Sequence, residues 1–248
     1  MDIRLDGKRA LVTGASSGLG VHFAAVLAEA GAHVTLAARR IERVQGEAEA
    51  LRKRGCSADA AALDVTSPEG VAGFFEAAPA FDILINNAGI SGSGAAIDMP
   101  LEEFQSVLDT NLTGAFAVAQ AAARAMKASG GGSIVNIASI LGIRVSGHVS
   151  AYCASKAALV QLTKALALEW ARHDIRVNAL CPGYIETPIN ADFFASEPGR
   201  ALITRIPQRR LGKPSDLDLP LLLFASDQSA YMTGSVLAVD GGHLVSGL

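Results

Sequence analysis

The chain predicts an α/β fold: one doubly wound parallel sheet of about seven strands with helices on both faces, spanning residues 1–248 as a single domain. Three observations carry that expectation. Short apolar runs alternate with longer helical stretches from end to end, with no composition shift, linker or repeat of fixed period. The first, Lys8 to Thr13, is a short apolar run of the kind a buried strand shows. The runs stop abruptly, with Gly14, Arg39, Asp64, Asn87, Ser139 and Pro182 at or just beyond their ends. Ligands in such sheets sit at the carboxyl ends of the strands, so these residues are expected to line one edge.

In order, Lys8-Arg9-Ala10-Leu11-Val12-Thr13 reads as the first strand, followed by Gly14-Ala15-Ser16-Ser17-Gly18-Leu19-Gly20 and a helix through Ala30 that stops at Gly31. Strand, glycine-rich turn and helix form the context of a dinucleotide-binding turn. Glycines let the backbone approach a pyrophosphate, and the helix N-terminus supplies free N–H groups and partial positive charge. The spacing is G-x-x-x-G-x-G rather than G-x-G-x-x-G. His33 to Ala38 is a second strand, ending at Arg39-Arg40 before a charged helix to about Arg54. An acid at that strand end would bind a ribose 2′-OH, whereas arginine accommodates a 2′-phosphate. Ala38 followed by Arg39 therefore points to NADP(H) over NAD(H), with Arg40 sharing the role or facing solvent.

Ala58 to Leu63 is a third strand, closed by Asp64. Ser67-Pro68-Glu69 reads as an N-cap, a proline at the first helical position and an acid in the first turn. Asp82-Ile83-Leu84-Ile85 is a fourth strand, running into Asn86-Asn87-Ala88-Gly89. Residues 101–128 form a long helix with Asn111 inside it; asparagine is a poor interior residue, so its amide is the reason for its presence. After Gly130-Gly131-Gly132, Ser133 to Ala138 is a fifth strand with Ser139 at its carboxyl end. Ala151 to Arg172 is a helix, Ile175 to Cys181 a sixth strand, Leu217 to Ala225 a helix and Val236 to Val239 the last strand. Residues 184–213 have no clear period and are rich in Pro, Arg and Phe, as a substrate loop or lid within the domain would be.

Ser150-Ala151-Tyr152-Cys153-Ala154-Ser155-Lys156 opens the long helix after the fifth strand. Tyr152 and Lys156, four apart, share one helix face. A phenol ordinarily ionises near pH ~10. An ammonium held beside it favours the phenolate and brings its pKa toward neutrality, where the pair can do acid–base work. Of Tyr152, Tyr184 and Tyr231, only Tyr152 has a lysine four residues on.

Composition narrows the partners. Half the residues are hydrophobic, 18% are charged and the mean hydropathy is +0.32, which suits a large core and apolar surface for self-association. The net charge of −3 and pI near 6.0 give no reason to expect nucleic acid. Cys56, Cys153 and Cys181 fit neither a disulfide framework nor a zinc site and point to a reducing compartment, the cytoplasm. Met1-Asp2-Ile3-Arg4-Leu5-Asp6 holds no apolar signal segment. No uncharged apolar run approaches the ~18–20 residues of a membrane span. The five histidines are scattered, and no metal is expected.

Taken together, the chain closely resembles the short-chain dehydrogenase/reductase family over nearly its whole length. It is similar to members of about its own size, the 3-oxoacyl-reductase-like and broad ketoreductase ones. Thr13 to Gly20 matches the cofactor turn, and Asn86-Asn87-Ala88-Gly89 matches the sheet-stabilising motif whose backbone passes the cofactor. Asn111, Ser139, Tyr152 and Lys156 match the catalytic tetrad, and the Ser139-to-Tyr152 interval is the family's own. Asp64-Val65 looks like the adenine-contacting pair, and Pro182-Gly183-Tyr184-Ile185-Glu186-Thr187 matches the nicotinamide-contacting stretch. The resemblance implies a Rossmann-type domain and a cofactor set of Gly14, Ser16, Ser17, Gly18, Leu19, Gly20, Arg39, Asp64, Val65, Asn87, Ala88, Gly89, Tyr152, Lys156, Pro182, Gly183, Ile185 and Thr187. It also implies hydride transfer between nicotinamide and a carbonyl or secondary alcohol. Tyr152 is then the general acid or base, Ser139 binds the substrate oxygen, Lys156 holds the nicotinamide ribose, and Asn111 holds a water on the way to Lys156. Helices 101–128 and 151–172 would pair across a two-fold axis into a homotetramer.

The substrate is a small ketone or alcohol walled by residues 90–96, 140–149 and 184–213. Leu141, Ile143, Val145, Ile189, Phe193 and Phe194 suggest an apolar or mixed pocket without a strong charged anchor. Relatives that act on carrier-bound acyl groups use basic residues near the catalytic helix. Here Lys127 to Gly132 lacks arginine, although Arg172 and His173 remain. The alternatives are an NAD-dependent alcohol or sugar dehydrogenase, and a dinucleotide-binding regulator without turnover. The regulator would have no need of the tetrad.

Overall fold

The computed structural model describes residues 3–187 and 190–246. Its strands are β1 (Arg9–Thr13), β2 (His33–Ala38), β3 (Ala58–Ala62), β4 (Ile83–Asn86), β5 (Gly132–Ile137), β6 (Ile175–Pro182) and β7 (Val236–Val239). They form one sheet in the order β3-β2-β1-β4-β5-β6-β7, and every neighbouring pair is parallel. The chain starts mid-sheet, runs to one edge, returns beside β1 and runs to the other edge. The order reverses between β1 and β4, the place where an open α/β sheet forms its ligand crevice.

The central strands show why both faces must be covered. Side chains alternate faces along a strand. Val12, Ile85 and Val135 pack into one apolar cluster with Phe23, Leu27 and Phe224, while their neighbours Leu11, Leu84 and Ile134 pack into another with Val118, Met126 and Leu166. The first face is covered by α1 (Gly18–Glu29), α2 (Ile41–Lys53) and α9 (Asp218–Ala225). The second is covered by α3 (Pro68–Ala77), α5 (Ala115–Ser129) and α6 (Ser150–Trp170). The helix α4 (Leu101–Leu108) leads into α5, and α7 (Ala191–Ala195) and α8 (Glu197–Ile203) lie between β6 and α9.

Local signals settle where these elements start. The Ser67 hydroxyl accepts from the Gly70 N–H at 3.0 Å and Pro68 occupies the first turn, as the sequence predicts. A capping hydroxyl of this kind stabilises a helix by about 1 kcal/mol. Two stretches depart from the sequence reading. Residues 101–128 are not one regular helix, because a π-helical turn, Asp109–Gly114, separates α4 from α5 and holds the fully buried Asn111. Residues 184–213 contain α7 and α8, of five and seven residues. Two turns or fewer is too short to show a helical period.

Candidate active site

The crevice above β1 and β4 opens into a cavity of about 420 Å³. Gly14, Ser16, Ser17, Gly18, Leu19, Gly20, Arg39, Asp64, Val65, Asn87, Ala88, Gly89 and Thr187, of the set expected to hold the cofactor, all line it. Its floor is knitted by Thr13. The Thr13 hydroxyl accepts from the N–H groups of Asn87 (3.0 Å) and Ala88 (3.1 Å), and the Asn87 amide donates to the Thr13 carbonyl (2.9 Å). The glycines are there for space. A Cβ on Gly14, whose φ is +65°, would lie 2.8 Å from the Ala88 Cα; one on Gly20 would lie 2.3 Å from the Gly14 oxygen. Below the floor, Asn86 donates to Ala115 (2.7 Å) and Asn136 (3.2 Å), and Asn136 donates to Thr163 of α6 (2.9 Å). This buried polar ladder fixes β4, β5 and α6 relative to one another.

Pro182, Gly183 and Ile185 do not line that cavity. Pro182 closes β6, the Gly183 N–H donates to Val239, and Ile185 is buried in the core and bridges to Gly212. What reaches the crevice from this stretch is Thr187, held by Asn190: the Asn190 side chain accepts from the Thr187 N–H at 2.9 Å and donates to the Ile185 carbonyl at 2.8 Å. Asn190, Thr66, Ile90, Thr110 and Arg40 also line the crevice. Of these, Arg40 carried a signal in its position beside Arg39, and Ile90 and Asn190 fall in stretches expected to wall the substrate; Thr66 and Thr110 carried none. Arg40 donates to the Ser16 hydroxyl at 3.2 Å. The Asp64 carboxyl accepts from the Thr66 hydroxyl (2.7 Å) and N–H (3.0 Å), which holds its pKa below the usual carboxylate value.

The proposed tetrad lies just beyond Gly89. Asn111 accepts from the Ile90 N–H and donates to the Ile90 carbonyl, both at 2.8 Å, and donates to Ser155 at 3.0 Å. Ser155 in turn donates to the Tyr152 carbonyl at 2.8 Å. A Cβ on Gly89 would stand 3.1 Å from the Asn111 Oδ1 and 3.6 Å from the Lys156 Nζ. Sequence reasoning gave Ser155 no part; its one signal is a serine inside a helix three residues after Tyr152. The Ser139 hydroxyl accepts from the Leu141 N–H at 3.1 Å and is hydrogen-bonded to the Tyr152 phenol.

One electrostatic expectation is corrected. Lys156 Nζ donates to the Ile137 carbonyl at 2.7 Å and sits 5.6 Å from the Tyr152 ring centroid, on its face. Burial is the largest influence on Tyr152 and pushes its pKa up; the Ser139 hydrogen bond opposes this. Burial also brings Lys156 down to about 8. In this arrangement burial outweighs any neighbour's pull on the phenol, and the lysine, its ammonium facing the ring and a carbonyl, is itself desolvated.

Beside the tetrad, the walls expected to be apolar or mixed without a strong charged anchor are mixed and carry cationic groups. An open cavity of about 970 Å³ is lined by Leu141 and Val145, as expected, but also by Arg144, Arg205 and Arg209. Ile143 and Phe193 are each half exposed, and Phe194 is buried against Tyr184 with ring centroids 5.9 Å apart. Ile189 lies outside the described residues. Among the described residues no group of His, Cys, Asp and Glu could hold a metal ion, and no helix is long and apolar enough to cross a membrane.

Relatives of known class share this whole architecture. A family model described as enoyl-(acyl carrier protein) reductase matches residues 14–243. The 3-oxoacyl-(acyl-carrier-protein) reductase FabG of Thermotoga maritima is 36% identical, over 98% of this chain and 100% of its own length. A short-chain type dehydrogenase/reductase from Mycobacterium marinum superposes with a TM-score of 0.92 at 46% identity, covering 98% of this chain and 97% of that one. A gluconate 5-dehydrogenase from Burkholderia cenocepacia, solved with NADP and tartrate, gives a TM-score of 0.95 at 36% identity, covering 99% and 98%. The chain belongs to the short-chain dehydrogenase/reductase family. Within it, the chain is an NAD(P)-dependent oxidoreductase of the CH–OH/C=O class, which sets aside the regulator without turnover.

Proposed function

We propose that the chain is an NADP(H)-preferring ketoreductase, with Asn111, Ser139, Tyr152 and Lys156 as its catalytic and positioning groups. The observation that carries the reading is the hydrogen-bonded Ser139–Tyr152 pair, set beside the Gly89 wall of the crevice with Lys156 one turn further along α6. The crevice suits a dinucleotide: Gly14 and Gly20 of its cradle have no room for a side chain, and two arginines flank its β2 end. Bound there, the nicotinamide would supply or accept the hydride. Arg39 and Arg40 would take a ribose 2′-phosphate, as arginine forks do. The solved relative that carries NADP supports this preference.

In the reductive direction Tyr152 gives its proton to the carbonyl oxygen, and the Ser139 hydroxyl holds that oxygen as charge develops. The raised pKa suits Tyr152 to this direction, because the phenol stays protonated at neutral pH. Lys156, near 8, exchanges protons within reach of physiological pH and holds a ribose hydroxyl. Asn111 keeps Ile90 and α6 in place; a water beside it would serve Lys156.

The chain works as one catalytic domain in the cytoplasm, with residues 184–213 as its substrate loop. Cys56, Cys153 and Cys181 are all free, in keeping with a reducing compartment. It assembles as a homotetramer through the long helices. Leu101, Phe116 and Leu168 stand exposed on α4, α5 and α6, apolar area that a second copy would cover.

The test is a panel of ketones followed by NADPH and NADH absorbance, with Tyr152→Phe beside wild type. Turnover by wild type and its loss in Tyr152→Phe, with cofactor affinity retained, is expected. A variant that keeps more than about a hundredth of kcat ends the acid–base assignment, since general acid–base catalysis contributes ~10²–10⁴-fold. A monomeric mass by light scattering ends the tetramer.

A further inference from the structure

The groove beside Tyr152 is built for charge. Leu141 and Tyr184 connect it to the reaction centre: the Leu141 N–H binds the Ser139 hydroxyl, and Tyr184 lies close enough to Tyr152 to influence its ionisation. Further out, Arg144, Arg205 and Arg209 arrive from separate segments, the loop after β5 and the segment after α8. No Asp or Glu lines the groove. Asp240, which acts on His243, has both carboxylate oxygens engaged by backbone, accepting from Gly242 (2.9 Å) and Leu244 (2.6 Å).

The arginines have donors to spare, since each guanidinium carries five N–H groups. Arg144 uses one nitrogen, Nη1, on the His243 carbonyl and the Ser246 hydroxyl (3.3 Å). Arg209 uses Nη1 on the Thr204 carbonyl. Arg205 makes no side-chain hydrogen bond or ion pair among the described residues.

A second, independent feature lies in the same wall. His243 is 93% buried (7% exposed), its ring stands 5.5 Å from that of Tyr184, and its Nδ1 has no hydrogen-bond partner. Unpartnered buried polar atoms are rare and mark missing partners. Burial is the largest influence holding the His243 pKa below its usual value; Arg144 and Arg205 add to it and Asp240 opposes it.

We propose that this groove takes an anionic group of the substrate, so that the enzyme acts on ketones or alcohols bearing a carboxylate or a phosphate. Arg205 and Arg209 are the anchors, and the Arg144–His243 pair forms the inner wall. The inference rests on the catalytic reading above and sharpens it. It also differs from carrier-protein docking, which would use the outer face of the catalytic helix near Arg172.

The test is calorimetric titration of full-length enzyme saturated with NADP⁺, which cannot reduce a ketone. The probes are pyruvate, acetoacetate and levulinate, each against its methyl ester, and dihydroxyacetone phosphate against dihydroxyacetone. At least one anion should bind roughly tenfold or more tighter than its neutral partner, and Arg205→Gln and Arg209→Gln should each remove most of that preference. Arg205→Lys should keep part of it. The acid and phosphate arms decide which oxyanion is meant. The proposal is overturned if no anion outbinds its neutral partner, or if the preference persists in both glutamine variants. Anion preference with no NADPH-dependent turnover of any probe would instead overturn the ketoreductase reading and leave the groove's assignment standing.

Discussion

Asn111 and Ser155 are 3.0 Å apart, amide to hydroxyl, and this bond joins the π-helical turn to the helix that carries Tyr152 and Lys156. Through it, the backbone of Ile90 at the crevice is tied to the carbonyl of Tyr152. Asn111→Ala leaves the Ile90 backbone without its partners and should cost about 1–3 kcal/mol. Ser155→Ala removes one partner of Asn111 and should cost about 1 kcal/mol. In thermal melts these are losses of about 2–4 °C per kcal/mol. Because the two residues share a bond, the double variant should lose less than the singles combined. Strict additivity would show that they do not act together.

Lys156 makes stability depend on pH in an unusual direction. Its pKa falls from 10.5 when unfolded to about 8 when folded. Between those values the unfolded chain holds a proton that the folded one has released, so stability rises with pH through that window. Below about pH 8 the buried ammonium imposes its whole penalty, on the order of 3 kcal/mol. Urea melts of wild type and Lys156→Met across this range are the check. The stability difference between them should narrow as pH rises, and a constant difference would refute the assignment.

Gly20 has no room to change. Gly20→Ala drives a methyl to 2.3 Å from the Gly14 oxygen and 2.7 Å from the Asn87 amide. Overpacking of this kind costs about 1–3 kcal/mol. The damage falls on the cradle, so fluorescence titration should show NADPH affinity falling further than thermal stability does. Unaltered NADPH affinity in a folded variant would argue against the cradle.

Arg39 and Arg40 should set cofactor choice together. Each charge-assisted bond to a 2′-phosphate contributes about 1.5–3 kcal/mol, or roughly tenfold in affinity or more. Arg39→Ala and Arg40→Ala should each lower the NADPH-to-NADH ratio of kcat/KM, and the pair should bring it near unity. Wild-type preference for NADH would end this reading of β2.

The strands were legible because each is a short, mainly apolar run ended by a residue with a reason to be there, such as Gly14 or Asn87. The helix through Asn111 was legible as a helix but not as a π-turn. Val107, Asn111, Ala115, Val118, Ala122 and Met126 fall on one face of a regular helix, so apolar spacing cannot reveal the extra residue. Tyr152 and Lys156 were legible as neighbours, because four residues on a helix fix adjacency. The electrostatic balance between them was not, since it depends on how deeply each is buried. The arginine groove escaped for a related reason. Arg144 meets Arg205 and Arg209 only after the chain has folded, and no local pattern records that meeting.

The strand order also bears on how the chain comes together during synthesis. The seam between β1 and β4 joins residues 73 and 74 apart in sequence, through Arg9 to Asp82 and Thr13 to Asn87. Contacts that distant form slowly, because a long loop must close first. While β4 is still inside the ribosome, β1 can pair with β2 but presents a bare edge on its other side, the edge where Ala10, Leu11 and Val12 later meet Ile83, Leu84 and Ile85. Such an edge is a template for pairing with the wrong chain. The nascent protein is therefore most prone to aggregate over the same interval in which its cofactor crevice has only one wall.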